Sequence, residues 1–137
     1  MPVLTELVHQ DQCGFMPARS TRHCIRKLNV ALDTKDSLIG SMSLLLIDFE
    51  KAFDTVDWEY LDKVLVRRGI GPYFWQCVRT LYCGPRAQVR VNGTLSRPFA
   101  IQRGTRQGCP LSPFLFALAV EPLAQCIRTD ARVRGWM

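Results

Sequence analysis

No two cysteines in the chain are spaced C-x-x-C, and neither histidine, His9 or His23, stands at a zinc-ligand spacing from any of the six cysteines. A zinc ribbon and a dithiol redox motif are excluded on that ground. Cys13, Cys24, Cys77, Cys83, Cys109 and Cys126 are expected to be core thiols, because free cysteine is among the most buried residue types. Disulfides are not expected in a reducing compartment. Long apolar runs are missing too. The longest uncharged stretch, Gln107 to Val120, has 14 residues and contains Pro110 and Pro113, against the roughly 20 apolar residues a membrane span needs. No membrane partner is expected. The start, MPVLTELVHQDQ, has no basic residues leading into an apolar core, so no secretory signal is visible and an intracellular location is the default. There is no G-x-x-x-x-G-K-[ST] loop and no D-x-D, since Glu50 stands two residues after Asp48. A P-loop hydrolase and an aspartate-nucleophile phosphatase are thereby set aside.

Acid is missing from a whole half of the chain. Lys63 to Val120 holds no Asp or Glu but carries nine basic residues, while Asp48 to Asp62 holds six of the twelve acids. The net charge of +6 is modest. Its segregation is what matters: an acid-free basic half beside an acidic cluster fits a polyanion held next to a metal site, with solvated surface arginines as the plainer alternative.

At 137 residues the chain has the size of one ordinary domain. Gly14 to Arg19 is a loop, after which Ser20 or Thr21 caps a helix with Ile25, Leu28, Ala31 and Leu32 on its apolar face. Asp33 to Ser41 connects into a buried strand at Leu44 to Ile47. Helices are expected from about Trp58 to Arg68, with Gly69 as its stop, and from Tyr73 to Cys83, both packing a core. Ala87, Val89 and Val91 alternate with polar residues, Asn92-Gly93 is a tight-turn signal, and Phe99 and Ile101 alternate on the return. That is a β-hairpin, with Pro98 at an edge or bulge. Ser112-Pro113 opens a last helix to about Arg128, with Pro122 inside it as a kink or break. The fold class is α+β, helices packed on a small antiparallel sheet.

Two segments invite chemistry. In Ser43 to Trp58, SLLLIDFEKAFDTVDW, four aliphatic residues deliver Asp48 to what reads as a strand end. There it is either a turn cap or an acid at the edge of a site, paired with a cation or a metal. In RGTRQGCPLSP, Arg103 to Pro113, glycines allow close backbone approach and a neutral amide stands with two cations, which suits a ribose and phosphates or a structural turn.

Taken together and in this order, these segments resemble the reverse transcriptase domain of non-LTR retrotransposons, most closely the LINE-1-like group. LLLIDFEKAFDTVDW resembles the first catalytic motif, RGTRQGCPLSPFLFALAVEPLA the nucleotide and template loop with its helix, and QCGFMPARST a fingers motif usually seen as Q-x-G-F-x-P-G-R-S-T. The resemblance runs from Gln12 onward. It implies part of a right-hand polymerase, with a fingers-side loop and helix over about 10–41 and an incomplete palm over 42–137.

The implied activity is RNA-directed DNA polymerisation, using two magnesium ions in the intact protein to support both attacking and leaving oxygens. Asp48 matches a metal-binding catalytic carboxylate, and the Phe49 carbonyl matches a backbone ligand. Lys51 and Ala52 match backbone contacts to the triphosphate. Phe53 matches the aromatic that excludes a ribose 2′-hydroxyl, a hydroxyl an apolar wall would leave unpaired. Gln107 and Gly108 match the nucleotide-facing pair. Arg103 and Arg106 are phosphate or template contacts, and Gln12 and Arg19 touch nucleic acid from the fingers. Glu50, Asp54 and Asp57 are left with structural roles. The implied partners are an RNA template, a DNA primer and deoxynucleotides, in a retroelement ribonucleoprotein of the nucleus or cytoplasm. Nothing in the sequence points to a homo-oligomer.

Two departures from the fingers motif stand out. Met16 occupies a position that is often basic, and Ala18 stands where glycine is usual; a left-handed backbone at Ala18 would cost about 1–2 kcal/mol. The family's aromatic-Ala-Asp-Asp turn is also missing, since the chain contains no Asp-Asp pair. The 137 residues by themselves are therefore expected to be inactive and to keep nucleic-acid binding only.

Overall fold

The computed structural model describes residues 2–34 and 43–135. Along the chain run α1 (Pro2–Leu7), α2 (Thr21–Thr34), α3 (Trp58–Arg67), α4 (Pro72–Leu81), β1 (Arg86–Ala87), β2 (Arg90–Val91), β3 (Thr94–Leu95), β4 (Phe99–Ala100) and α5 (Ser112–Thr129). Helices with small antiparallel ladders make the class α+β. The chain forms two compact units, one of Met1–Glu50 with Val120–Met137, the other of Lys51–Ala119.

In the first unit one arginine organises the N-terminal turns. The Arg19 guanidinium donates to the carbonyls of Thr5, Val8, His9 and Gln12 at 2.6–3.1 Å. These carbonyls lie in the last turn of α1 and in the turns that follow it, where helix ends leave carbonyls to be satisfied by side chains; that of His9 also accepts from the Gln12 amide. The expected nucleic-acid contact is thus, in this structure, the residue that shapes the loop. Inside that loop Met16 is buried, and Ala18 has φ of 58°, the left-handed backbone that glycine adopts without strain. Ser20 begins α2 as expected, its hydroxyl accepting from the Arg22 amide. The apolar stripe of α2 is mostly open, however: Ala31 is buried while Ile25 and Leu32 are exposed.

Residues 44–47 overturn the expected buried strand. They pair in no ladder with any described residue and all four side chains are exposed, Leu45 by 79%. A strand needs a neighbour for its backbone groups, and the ladders among the described residues join only the short segments between Arg86 and Ala100. Of the expected connection Asp33 to Ser41, residues 33 and 34 belong to the end of α2 and 35–41 lie outside the described residues. In the second half of α5, buried Glu121 accepts from Arg128, the pairing that a buried carboxylate requires.

The second unit is built around α3. Asp57 caps it by accepting from the Tyr60 amide at 2.7 Å. Leu61, Val64 and Leu65 form its buried face. Gly69, at φ of 69°, ends it, with the Ile70 amide donating back to the Leu65 carbonyl. α4 packs on α3 but buries only Val78 among its residues; Tyr73 and Leu81 are exposed, so it covers the core rather than lying in it. Leu115, Ala117, Leu118 and Ala119 of α5 complete the buried set.

The hairpin forms as two short ladders. Asn92 (φ 48°) and Gly93 (φ 83°) make the turn between Val91 and Thr94, as the sequence indicates. Between the ladders Gln88 and Val89 face three residues, Ser96, Arg97 and Pro98. Proline sits in this bulge, where no ladder donor is needed, and the Ser96 hydroxyl accepts from the Val89 amide. Hairpin side chains such as Val91, Leu95 and Phe99 are exposed, so the core comes from helices and loops rather than from a sheet beneath them. Pro122 does not break α5. It removes the donor that the Leu118 carbonyl would receive, and the Tyr60 hydroxyl donates to the adjacent Ala119 carbonyl.

Ala18→Gly is expected to stabilise the protein by about 1 kcal/mol, the relief of left-handed strain exceeding glycine's extra unfolded-state freedom. Chemical denaturation checks this; a loss of stability would contradict the strain at position 18.

Candidate functional site

The two sequence segments singled out for chemistry meet in the second unit. Five hydrogen bonds tie residues 53–58 to residues 104–107. The Thr105 amide donates to the Phe53 carbonyl at 2.6 Å, and the Gly104 amide to the Val56 carbonyl at 2.8 Å. The Thr105 hydroxyl reaches the same Phe53 carbonyl at 3.3 Å. The Trp58 indole donates to the Gly104 carbonyl at 2.8 Å. The Gln107 amide nitrogen donates to the Asp54 carboxylate at 3.0 Å.

Gly104 is required at its position. Its φ is 94°, and a Cβ there would lie 2.8 Å from the Asp54 carbonyl oxygen. Backbone approach this close is the role for which a loop glycine is suited. Thr105 is 3% exposed although it belongs to a loop, so its polar groups need internal partners. Phe53 supplies them.

Phe53 is half-buried, and its ring stacks on Phe116 of α5 with centroids 5.0 Å apart and planes tilted by 40°. Lys51 has φ of 49° and its carbonyl accepts from the Asp54 and Thr55 amides, which folds 51–55 into a tight turn; Ala52 is half-buried within it. Gln107, Gly108, Arg103 and Arg106 are exposed. A groove of about 600 Å³ runs along this face, lined by Asp54, Trp58, Arg86, Arg103, Arg106 and Gln107 among others. Arg103 and Arg106 thus share one concavity with the Gln107 amide. The hairpin arginines Arg90 and Arg97 are exposed in the same unit.

Asp48 and Phe49 belong to the first unit and are exposed, so burial does not force a partner on Asp48 as a strand end would have. Among the described residues no three His, Cys, Asp or Glu side chains converge to hold a metal ion. Asp48 with the Phe49 carbonyl is a partial donor set that does not by itself fit two magnesium ions. Gln12 is half-buried, and its carbonyl is one of the four on Arg19.

The cysteines correct an expectation: none is buried. Cys24 is exposed, and its thiol is raised chiefly by a hydrogen bond with Cys13. Cys109 lies beside Arg106 in the loop between Arg103 and Pro113. The Leu111 amide, supported by Ser112 and the Arg106 charge, holds its thiol below the usual range.

A family model for reverse transcriptase (RNA-dependent DNA polymerase) matches residues 1–134. The chain belongs to that family. It is 37% identical over 126 residues to the transposon TX1 149 kDa protein of Xenopus laevis, covering 92% of this chain and 10% of that protein. A Pol polyprotein from the retrotransposable element R2 of Popillia japonica is 26% identical over 129 residues, 93% of this chain and 18% of its own. The R2DM polyprotein of Drosophila melanogaster is 27% identical over 119 residues, 87% and 11%. The chain therefore spans between a tenth and a fifth of the length of these relatives.

Within this reverse transcriptase segment, sequence reasoning named Phe53 and Gln107 and left Asp54 a structural role, but missed Thr105, Trp58 and Phe116, which hold the two loops and the Phe53 ring. Their signal is weak, since a loop threonine and a helix-start tryptophan have ordinary explanations. Only the distant pairing reveals them.

Gly104→Ala is expected to destabilise the protein by about 3 kcal/mol, combining backbone strain with the clash at Asp54; thermal melts of the variant measure it. Because the Cys109 thiol is lowered and the Cys24 thiol raised, iodoacetamide is expected to alkylate Cys109 from a lower pH than Cys24. Peptide mass spectrometry across pH 6–10 reads the order, and the reverse order would contradict the environment described.

Proposed function

We propose that this chain is the part of an RNA-directed DNA polymerase of a non-LTR retroelement that receives the incoming deoxynucleotide and lies against the template and primer. The observation that carries the proposal is the strap between the Phe53 turn and the Gln107 loop. Two motifs about fifty residues apart, each with a nucleotide role by family resemblance, are tied to one another along an arginine-lined groove.

The chemistry of each group suits its role. The Phe53 ring offers an apolar wall beside which a ribose 2′-hydroxyl loses water without gaining a partner. Gln107 gives one N–H to Asp54, which leaves its carbonyl and second N–H for a ligand. Gly108, at φ of 80°, is a position where the backbone can approach a ligand closely. Arg103 and Arg106 supply cations for phosphates, and the exposed turn at Lys51 and Ala52 supplies backbone contacts to a triphosphate. Arg19 and Gln12 enter the proposal through the fingers-side loop that they shape together. Asp48, with the Phe49 carbonyl, is proposed as one contribution to a divalent-metal centre that needs further carboxylates. When bound, such ions would stabilise the charge developing on phosphate. An intracellular ribonucleoprotein is the setting this activity requires.

In the full-length protein Asp48→Asn is expected to abolish magnesium-dependent primer extension, a loss of about a thousandfold or more, without altering the circular dichroism spectrum. Extension retained in that variant would remove Asp48 from the mechanism. The 137-residue chain assayed beside it distinguishes the narrower reading: RNA binding without incorporation would identify a nucleic-acid-binding remnant.

A further inference from the structure

Rejecting a sugar on the strength of one hydroxyl places a severe demand on the wall that does it. The substrates differ by a single oxygen, and a misplacement of about 1 Å at a reacting site can change rates about a hundredfold. Phenylalanine does not meet this demand alone. It turns about two side-chain torsions, and Phe53 is half-buried on a turn that contains a left-handed residue, Lys51. Something must fix both the direction of the ring and the position of the backbone beneath it.

The structure supplies one restraint for each. On the ring side Phe116 stands 5.0 Å away with its plane tilted by 40°, within the range of favourable aromatic pairs. Phe116 is itself half-buried, on a stretch of α5 anchored by Leu115 and Ala117, exposed by 0% and 1%. On the backbone side the Phe53 carbonyl receives both the amide and the hydroxyl of Thr105. Two donors occupy both lone pairs of one carbonyl. Thr105 is itself buried, and the neighbouring Gly104 is fixed at both its amide and its carbonyl, by Val56 and Trp58.

We propose that Thr105 and Phe116 are positioning residues for Phe53, and that discrimination between deoxyribo- and ribonucleotides depends on them as well as on Phe53. This rests on the reading of Phe53 as the wall that rejects the 2′-hydroxyl. The nucleotide loop and α5 therefore do more than bind on their own account: they set the place of a selective surface carried by a different motif.

Single-nucleotide incorporation by the full-length protein tests this, measuring kcat/KM for dGTP and GTP and taking their ratio. A residue that serves only stability lowers both values together and leaves the ratio alone. Phe53→Val is expected to lower the ratio about tenfold to a hundredfold. Phe116→Leu and Thr105→Val are expected to lower it about threefold to tenfold, mainly by raising kcat/KM for GTP. Phe116→Tyr, which keeps the ring, and Thr105→Ser, which keeps the hydroxyl, retain the original ratio and guard against unfolded variants. A ratio that falls with Phe53→Val but not with Phe116→Leu or Thr105→Val would overturn the positioning roles. A ratio unmoved by Phe53→Val would overturn the reading of Phe53 itself, and no incorporation by the unsubstituted protein would overturn the polymerase reading with it.

Discussion

The Phe53 carbonyl, held by the amide and hydroxyl of Thr105, is the contact on which the unit of Lys51–Ala119 depends. Loops ordinarily keep their polar backbone toward water. Here a loop residue is buried, and a buried backbone must find its partners within the protein. That requirement draws residues 104–107 onto residues 53–58 and brings the Trp58 indole to Gly104. It also explains the glycine, since the two backbones run too close for any Cβ. Each bond taken singly contributes about 1 kcal/mol. Together they impose a register, because shifting the loop by one residue would leave several buried groups unsatisfied at once.

What the sequence made legible follows from the range of the interactions involved. The Gly69 stop, the buried face of α3 and the Asn92-Gly93 turn are local, set by residues within a few positions of each other; Asp57, left only with a structural role, proves to be the cap of α3. The three motifs were legible for another reason: they resemble a family, and the family model over residues 1–134 agrees. The strap was not legible, because nothing local distinguishes Thr105 or Phe116 from ordinary core residues. Asp54 was left with a structural role, and the structure gives it a specific partner in Gln107.

The errors share a cause as well. Leu44 to Ile47, Ile25 and Leu32 of α2 and the cysteines were all expected inside on grounds of hydrophobicity, and all are exposed or half-exposed. Hydrophobicity states a preference for burial without naming a partner surface. For α3 the partners are present in α4 and the first half of α5. For residues 44–47 no ladder partner stands among the described residues. Proline 122 shows the converse, a residue with a locally disruptive preference carried within an unbroken helix.

Arginine counts look different once their partners are known. Arg19 is occupied by four carbonyls, Arg79 by the Trp75 ring and Asp62, Arg128 by Glu121 and Arg132 by Asp130. A guanidinium already engaged in this way displaces few counterions when a phosphate chain arrives, and counterion release is what gives nucleic-acid affinity its dependence on salt. Fewer cations than the formal charge implies are therefore left to give contact with a polyanion its salt dependence, Arg86, Arg103 and Arg106 along the groove and the exposed Arg90 and Arg97 among them. Lysine at position 19 would keep that charge and lose the planar fork that lets one side chain gather carbonyls from four residues.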